Sequence, residues 1–412
     1  MTWYSKFRNE LLVGGAEDTE KQEQAKREAR WVGLLLMGLI VWLGIKSPWA
    51  LVFVIGLLIS IFLHELGHFV SARRSGMKVT EFAMGFGPRV WSTQRGEVEY
   101  SIRSFPLGAF VRIVGMNSED EVSPEDEART YRAQSYPRRL ITITAGSIMH
   151  MVIAGVLIIG VYSFAGRYQE TGKALVFAPP QLGSAADVAG IKEGDVFISV
   201  DGEMIRSSAQ MVSTIHSHEP GDVLNIVVDR NGEQLTLNPK LDALSDGTAF
   251  LGINVWSREY VRLNPLKALW WGGGDIVDMA ASSVRGVFSA LNPVNNVKHL
   301  THSSSVDPQA RPTTVVGATS FSSTIGKDDG WRGVLRMLAG VNVFVGIFNM
   351  FPLLPFDGGH AAIATYERIR SRRGRRYFAD VSKMIPVTLV LVALLGFLFL
   401  TGLYMDITDP LS

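Results

Sequence analysis

The chain has 412 residues, 47% of them apolar, a net charge of +1 and no cysteine. That size and apolar content allow a bundle of membrane-spanning helices plus one small soluble domain. Without cysteine there are no disulfides or thiolate metal sites, so any metal rests on His, Asp and Glu; the near-neutral charge gives no reason to expect a nucleic-acid partner.

Residues 1–30 are polar and helix-prone, with Lys21, Lys26, Arg27 and Arg30 just ahead of the first apolar run. They read as a cytoplasmic N-terminal leader, too long and too mixed in charge for a cleavable signal. The run 31–46 is short for a span and reads as a short membrane segment. After Lys46-Ser47-Pro48-Trp49 reverses the chain, 49–72 is long enough to cross a bilayer, and Arg73 and Arg74 mark its cytoplasmic end.

Inside that span lies His64-Glu65-Leu66-Gly67-His68. Four residues of helix turn about 400°, so His64 and His68 share a face and can hold one metal ion, with Glu65 beside them. The pattern is a zinc-protease signature in which the Glu is general base. Each ionisable group at membrane depth costs about 2.5 to 3.5 kcal/mol, and a bound metal compensates all three at once. Tetrahedral zinc with one open position needs a third protein ligand, which another membrane segment must supply.

Residues 78–115 turn strand-like. Gly85-Phe86-Gly87-Pro88 breaks the chain, 89–93 and 97–102 form a β-hairpin around 94–96, and a third strand follows over 107–114. The stretch fits an ordinary cytoplasmic hairpin. It equally fits an exposed edge that holds a peptide substrate extended by strand addition, since a helical peptide bond is shielded by its own hydrogen bonds. Residues 117–139 form a charged loop, and 140–164 is the next span. Its lone ionisable residue, His150, is expected to bond to backbone or a neighbouring helix rather than to metal.

Residues 169–255 are soluble in character. Short strand-like runs (196–200, 223–228 and 234–237) are separated by Gly-Asp and Asn-Gly turns, with a short helix over 208–216. Gly183-Ser184-Ala185-Ala186, Ala189-Gly190-Ile191-Lys192-Glu193-Gly194-Asp195-Val196-Phe197 and Val200-Asp201-Gly202 resemble the bacterial PDZ pattern, which implies binding of a peptide or chain terminus. Residues 262–330 read as an amphipathic and extended linker, with 312–317 as extended chain returning to the membrane. The segment 334–360 ends in Asn349-Met350-Phe351-Pro352-Leu353-Leu354-Pro355-Phe356-Asp357-Gly358-Gly359-His360, where two prolines free backbone carbonyls that only protein or a water-lined cavity can satisfy. Asp357 is the expected third zinc ligand: the basic stretch 368–376 puts it near the same face as His64 and His68. A last span covers 384–404. Counted from a cytoplasmic N-terminus, these spans put the PDZ-like region outside.

HELGH in a span, a GFGP hairpin, a PDZ-like insert and NMFPLLPFDGGH in a later span resemble the site-2 protease family of intramembrane zinc metalloproteases. The insert is most similar to the bacterial type that regulates sigma factors, and TTVVGA with PLLPFDGGH resembles actinobacterial members. The resemblance covers 48–404 and implies that His64, His68 and Asp357 bind Zn2+ and that Glu65 activates water. It also implies that Asn349 and Pro352 seat the substrate and that the hairpin around Gly85, Phe86 and Gly87 clamps it. The chain departs from the family at Gly146-Ser147-Ile148-Met149-His150, where members carry Gly-Pro-x-x-Asn. The second proline of the DGGH motif is also offset by one residue, and the leading segment is extra.

The expected fold is a polytopic α-helical membrane protein with a membrane-associated β-hairpin and an inserted extracytoplasmic PDZ-like α+β domain, in a bacterial plasma membrane. The expected partners are the lipid bilayer and a single-span membrane protein substrate, such as an anti-sigma factor. Two other readings stay open: a non-catalytic PDZ scaffold with structural zinc, and a protease that clears remnant signal peptides.

Overall fold

The structure, a computed structural model, describes residues 31, 34–35, 38–116, 122–244, 246–290, 292, 312–371 and 376–408. The leader 1–30 lies outside the described residues, as do parts of the 31–46 run, whose residues 38–46 are helical. The chain divides into two units, Met1–Val161 with Leu266–Ser412, and Tyr162–Pro265.

In the first unit, α1 (Pro48–Arg74) begins where the Ser47 hydroxyl accepts a hydrogen bond from the Ala50 N–H and Pro48 enters the first turn; Arg73 and Arg74 close the last turn. A hydroxyl at the cap satisfies an orphan donor, and basic residues favour the negative end of the helix dipole. Two long strands follow, β1 (Val79–Arg95) and β2 (Val98–Ile113), then α2 (Tyr136–Phe164).

The hairpin differs from the expected three short strands. Residues 79–84 are also strand, paired with 109–113 on one side and 99–102 on the other, while 89–95 pairs only with 98–103. The chain bends inside β1 at Gly85 and Gly87 (φ 90° and 83°). These values are open to glycine at little cost, so the strand turns a corner without leaving the ladder. Arg103 and Glu81 form a buried ion pair at that corner; Ser101 Oγ also donates to Glu81, and Arg103 Nη1 donates to the Gly87 carbonyl at 3.0 Å.

The remaining helices of this unit, within the described residues, are α5 (Pro265–Ala290), α6 (Val315–Asn349), α7 (Asp357–Arg370) and α8 (Ile385–Thr408). Four of them, α1, α2, α6 and α8, are long and apolar enough to cross a membrane. From Val315 on, α6 corrects the extended part of the 262–330 expectation and of the 312–317 reading; residues 312–314 are not helical. Helix starts at Val315, capped by the Thr314 side chain, and continues to Asn349 with one break at Gly330. Thr, Val and Ser made this stretch look extended, but its small residues meet close neighbours. A Cβ on Gly326 would lie 2.2 Å from Trp49 Cγ, and one on Gly317 would lie 2.2 Å from Asp406 Oδ1. Asp406 of α8 also accepts from the Thr314 N–H (2.8 Å), the Thr314 hydroxyl (2.7 Å) and the Gly317 N–H (3.1 Å), so the last helix helps cap α6.

Among the described residues of this unit, two apolar cores stand out. Phe69 and Ala72 of α1, Phe82 of β1, Ile143 of α2 and Ala361 and Ala364 of α7 form one, which ties the metal-motif helix to the hairpin and to the Asp357 helix. Phe53 of α1 with Val334 and Leu338 of α6 form the other.

The second unit contains β3 (Arg167–Val176), α3 (Ala185–Val188), β4 (Val196–Val200), β5 (Glu203–Met204), α4 (Ser208–His216), β6 (Ile226–Arg230), β7 (Glu233–Leu237), β8 (Asp242–Ala243), β9 (Ala249–Phe250) and β10 (Val255–Val261). Its main sheet has the order β10-β3-β4-β6-β7, with β5 on β4. Val176, Phe197, Val200, Met211, Leu224 and Ile226 are fully or almost fully buried in its core. Strand β10 extends this unit beyond residue 255, because its 255–261 segment pairs with β3.

Candidate metal centre

Helix α1 carries His64 and His68 one turn apart, and Asp357 is the first residue of α7. The three converge: His64 Nε2 to His68 Nε2 is 3.1 Å, His68 Nε2 to Asp357 Oδ2 is 3.2 Å, and His64 Nε2 to Asp357 Oδ2 is 3.5 Å. Among the described residues this is the one cluster of three or more such side chains arranged to hold a metal. Ligands about 2.0 to 2.2 Å from a tetrahedral zinc lie about 3.3 to 3.6 Å from one another, and the observed 3.1 to 3.5 Å comes within about 0.2 Å of that spacing.

The hydrogen bonds support the same fit. His68 Nδ1 donates to the Thr142 carbonyl of α2 at 2.8 Å, so Nε2 of the neutral ring presents a lone pair to the cluster. Asp357 Oδ2 is buried without a hydrogen-bond donor. A cation shared by three lone-pair atoms satisfies all of them. Glu65 stands beside the cluster, its Oε1 4.0 Å from His64 Nε2, with its side chain 16% exposed.

Glycines bring the helices this close. A Cβ on Gly146 of α2 would lie 2.4 Å from both His64 Cε1 and His68 Nε2, and one on Gly67 of α1 would lie 2.8 Å from the Ala145 carbonyl oxygen. Under Asp357, a Cβ on Gly358 would lie 2.2 Å from the Met350 carbonyl. The sequence Asp-Gly-Gly therefore lets the start of α7 seat against the loop 350–356.

His150 does not join the cluster. Its ring lies 4.8 Å from that of His64, and its Nδ1 donates to Asn342 Oδ1 of α6 at 2.8 Å. Asn342 is itself fixed, because its amide nitrogen donates to the Ser60 hydroxyl at 3.1 Å and to the Leu338 carbonyl at 2.8 Å. Sequence reasoning did not single out Asn342 or Thr142, and it met Gly146 only as the first residue of the Gly146–His150 departure, with no role given to it. Asn342 had left one signal, as an amide within an apolar run.

Of the other expected site residues, Asn349 ends α6 half-buried, and Pro352 is exposed in the loop ahead of Asp357. Gly85 and Gly87 form the corner of β1, where the Phe86 ring stacks on that of Phe110 with centroids 6.0 Å apart.

Four potential spans among the described residues, a cluster of two buried imidazoles with the half-buried Asp357, and a carboxylate one residue from the first His define a membrane metallopeptidase. The model of peptidase family M50 matches residues 52–393. The chain is 31% identical over 395 residues to zinc metalloprotease Rip1 of Mycolicibacterium smegmatis, covering 87% of this chain and 97% of that one. It is likewise 31% identical over 396 residues to zinc metalloprotease Rip1 of Mycobacterium tuberculosis, with the same coverages. A putative zinc metalloprotease of Nostoc, all3971, is 29% identical over 325 residues, or 77% of this chain and 85% of that one. The PDZ domain of an SdrC-like protein from Listeria monocytogenes matches 20% of this chain and 87% of its own, at 28% identity and a TM-score of 0.19. The chain belongs to peptidase family M50, the site-2 proteases.

Proposed function

We propose that this zinc metalloprotease hydrolyses peptide bonds in the transmembrane segments of single-span proteins after a prior extracytoplasmic cut, and that its substrate is an anti-sigma factor whose cleavage releases a sigma factor. The observation that carries the reading is the joining of His64 and His68 to Asp357 across the 288 residues that separate His68 from Asp357, with Glu65 at the edge of the cluster. A structural metal site has no use for that free carboxylate.

His64, His68 and Asp357 would hold the zinc, which when bound would supply Lewis acidity to the scissile carbonyl and to the attacking water. The Glu65 carboxylate takes the proton of the attacking water and returns it to the leaving amine. The Thr142 carbonyl holds the His68 ring in one orientation and tautomer. The free edge 89–95 of the hairpin, with Val90 and Trp91 about half exposed, receives the substrate as an added strand, while Asn349 and Pro352 seat it. The reading puts the metal near the cytoplasmic face, where water reaches it, and the PDZ-like domain on the other side.

The test is cleavage of a single-span model substrate, already stripped of its extracellular part, by detergent-purified protein. Wild type should give fragments whose masses locate the cut within the span. Glu65→Gln should give none while retaining one zinc per chain, and chelation should also stop cleavage. Cleavage by Glu65→Gln would remove Glu65 from its role.

A further inference from the structure

Away from the metal, the start of α2 and the end of α7 enclose a cleft of about 350 Å³. Arg132 enters its wall from the loop ahead of α2, Arg139 from α2, Arg368 from α7 and Arg376 from the chain beyond. Its one carboxylate, Glu367, is fully engaged, with Oε2 accepting from Arg139 Nη2 at 2.6 Å and Oε1 from the Ala379 N–H at 2.8 Å. Arg132 pairs with Glu127, a pair in which both side chains are substantially exposed. Arg376 uses one of its donors on the Ala133 carbonyl at 3.0 Å. Arg368 has no carboxylate partner among the described residues. The Nε of Arg139, a residue nine-tenths buried, has no hydrogen-bond partner there either. The first turn of α2 at the rim carries no acidic residue, so its positive end is not offset.

We propose that this cleft binds a phosphate group, carried by a membrane lipid or by free phosphate. Guanidinium forks match phosphate oxygens in pairs, and several arginines converging on one concave surface with a single, already neutralised carboxylate is the chemistry that recognises this anion. The exposed rings of Tyr377 and Phe378 on the same wall suit a headgroup at a membrane surface. A phosphate held there bridges α2, whose Thr142 carbonyl orients His68, to α7, which begins at Asp357.

The test measures binding, not cleavage. The full chain in detergent is offered equal phosphatidylglycerol and phosphatidylcholine and examined by native mass spectrometry, with wild type compared to Arg368→Gln/Arg376→Gln. Both arginines are exposed, so folding should survive; Arg74→Gln/Arg95→Gln removes the same charge from exposed sites outside the cleft. The wild type and the control pair should retain phosphatidylglycerol selectively, and the cleft variant should lose about tenfold or more of it. Displacement by millimolar inorganic phosphate would show that the phosphate alone is read. Retention despite inorganic phosphate would identify the lipid as the source. Equal retention by the cleft variant, equal loss in the control, or a wild type that retains neither phosphatidylglycerol nor inorganic phosphate would overturn the proposal.

Discussion

A methyl group on Gly146 has nowhere to go. It would lie 2.4 Å from His64 Cε1 and 2.4 Å from His68 Nε2, both on rings already fixed by the cluster. The substitution Gly146→Ala should therefore push α2 off α1, at about 1 to 3 kcal/mol, and splay the two imidazoles. The expected result is loss of both zinc and cleavage in a protein that still inserts and purifies. Gly160→Ala, on the same helix with open space around its Cβ, should bind zinc normally and be slightly stabilised, because alanine loses less entropy on helix formation. Zinc content by elemental analysis checks both. This pair also marks the limit of what the sequence could tell. His64, Glu65 and His68 were legible because helix geometry makes four-residue spacing a local code, and Asp357 because the basic stretch after it led the sequence reading to expect it on the side of the two histidines. The packing role of Gly146 and the bonds of Thr142 and Asn342 were not, because those roles exist only when α1, α2 and α6 meet.

Elements depend on buried ion pairs at their bends. Arg103 and Glu81 are both buried, and Arg103 also donates to the Gly87 carbonyl at the corner of β1 and lies with its guanidinium carbon 5.1 Å from the centre of the Phe110 ring. Arg103→Met keeps much of the packing but leaves Glu81 buried beside Ser101, which should cost roughly 3 to 5 kcal/mol locally. Zinc should stay bound, because the ligands come from α1 and α7, while cleavage falls as the edge 89–95 loses its register. Equal cleavage by the variant would separate the hairpin from substrate handling. In the second unit, burial pushes the Asp195 carboxyl up, but two hydrogen bonds from Arg230 and one from the Lys192 N–H outweigh it and hold the group below the usual carboxylate range. A depressed folded pKa stabilises the domain above the unfolded pKa, near 3.9, and that stability is lost as pH falls through the folded value. Hydrogen exchange on the full chain should show this domain opening in acid. Asp195→Asn should open it already at neutral pH, by about 3 kcal/mol, the lower end for a broken buried pair because Arg230 keeps some solvent access. The short strands and helix of this domain were readable from turn residues and alternation. Helix 315–329 was not, since its small residues signal helix only when Trp49 and Asp406 are packed against them.

At the scale of the whole chain, the question is whether the inserted domain can be removed without unfolding the enzyme around it. Its ends answer this. Strands β3 and β10 are antiparallel neighbours, with Arg167 opposite Val261 and Tyr168 opposite Tyr260. The Tyr168 and Tyr260 rings stack with centroids 3.8 Å apart, and the Leu263 N–H donates to the Tyr162 carbonyl at 3.0 Å. Deleting residues 169–255 joins Tyr168 directly to Trp256, so 256–259 become a four-residue loop closing a hairpin whose stem is already paired. Loops of that length are common between antiparallel strands, and the closure cost changes little with length. The shortened protein should therefore keep its zinc and its cleavage of a pre-trimmed substrate. If the domain excludes substrates that still carry a bulky extracellular part, the same deletion should also allow cleavage of the untrimmed substrate, which wild type refuses. A deletion that keeps zinc and cuts the trimmed substrate but still refuses the untrimmed one would move the selection step from the inserted domain to the hairpin or to the loop ahead of Asp357.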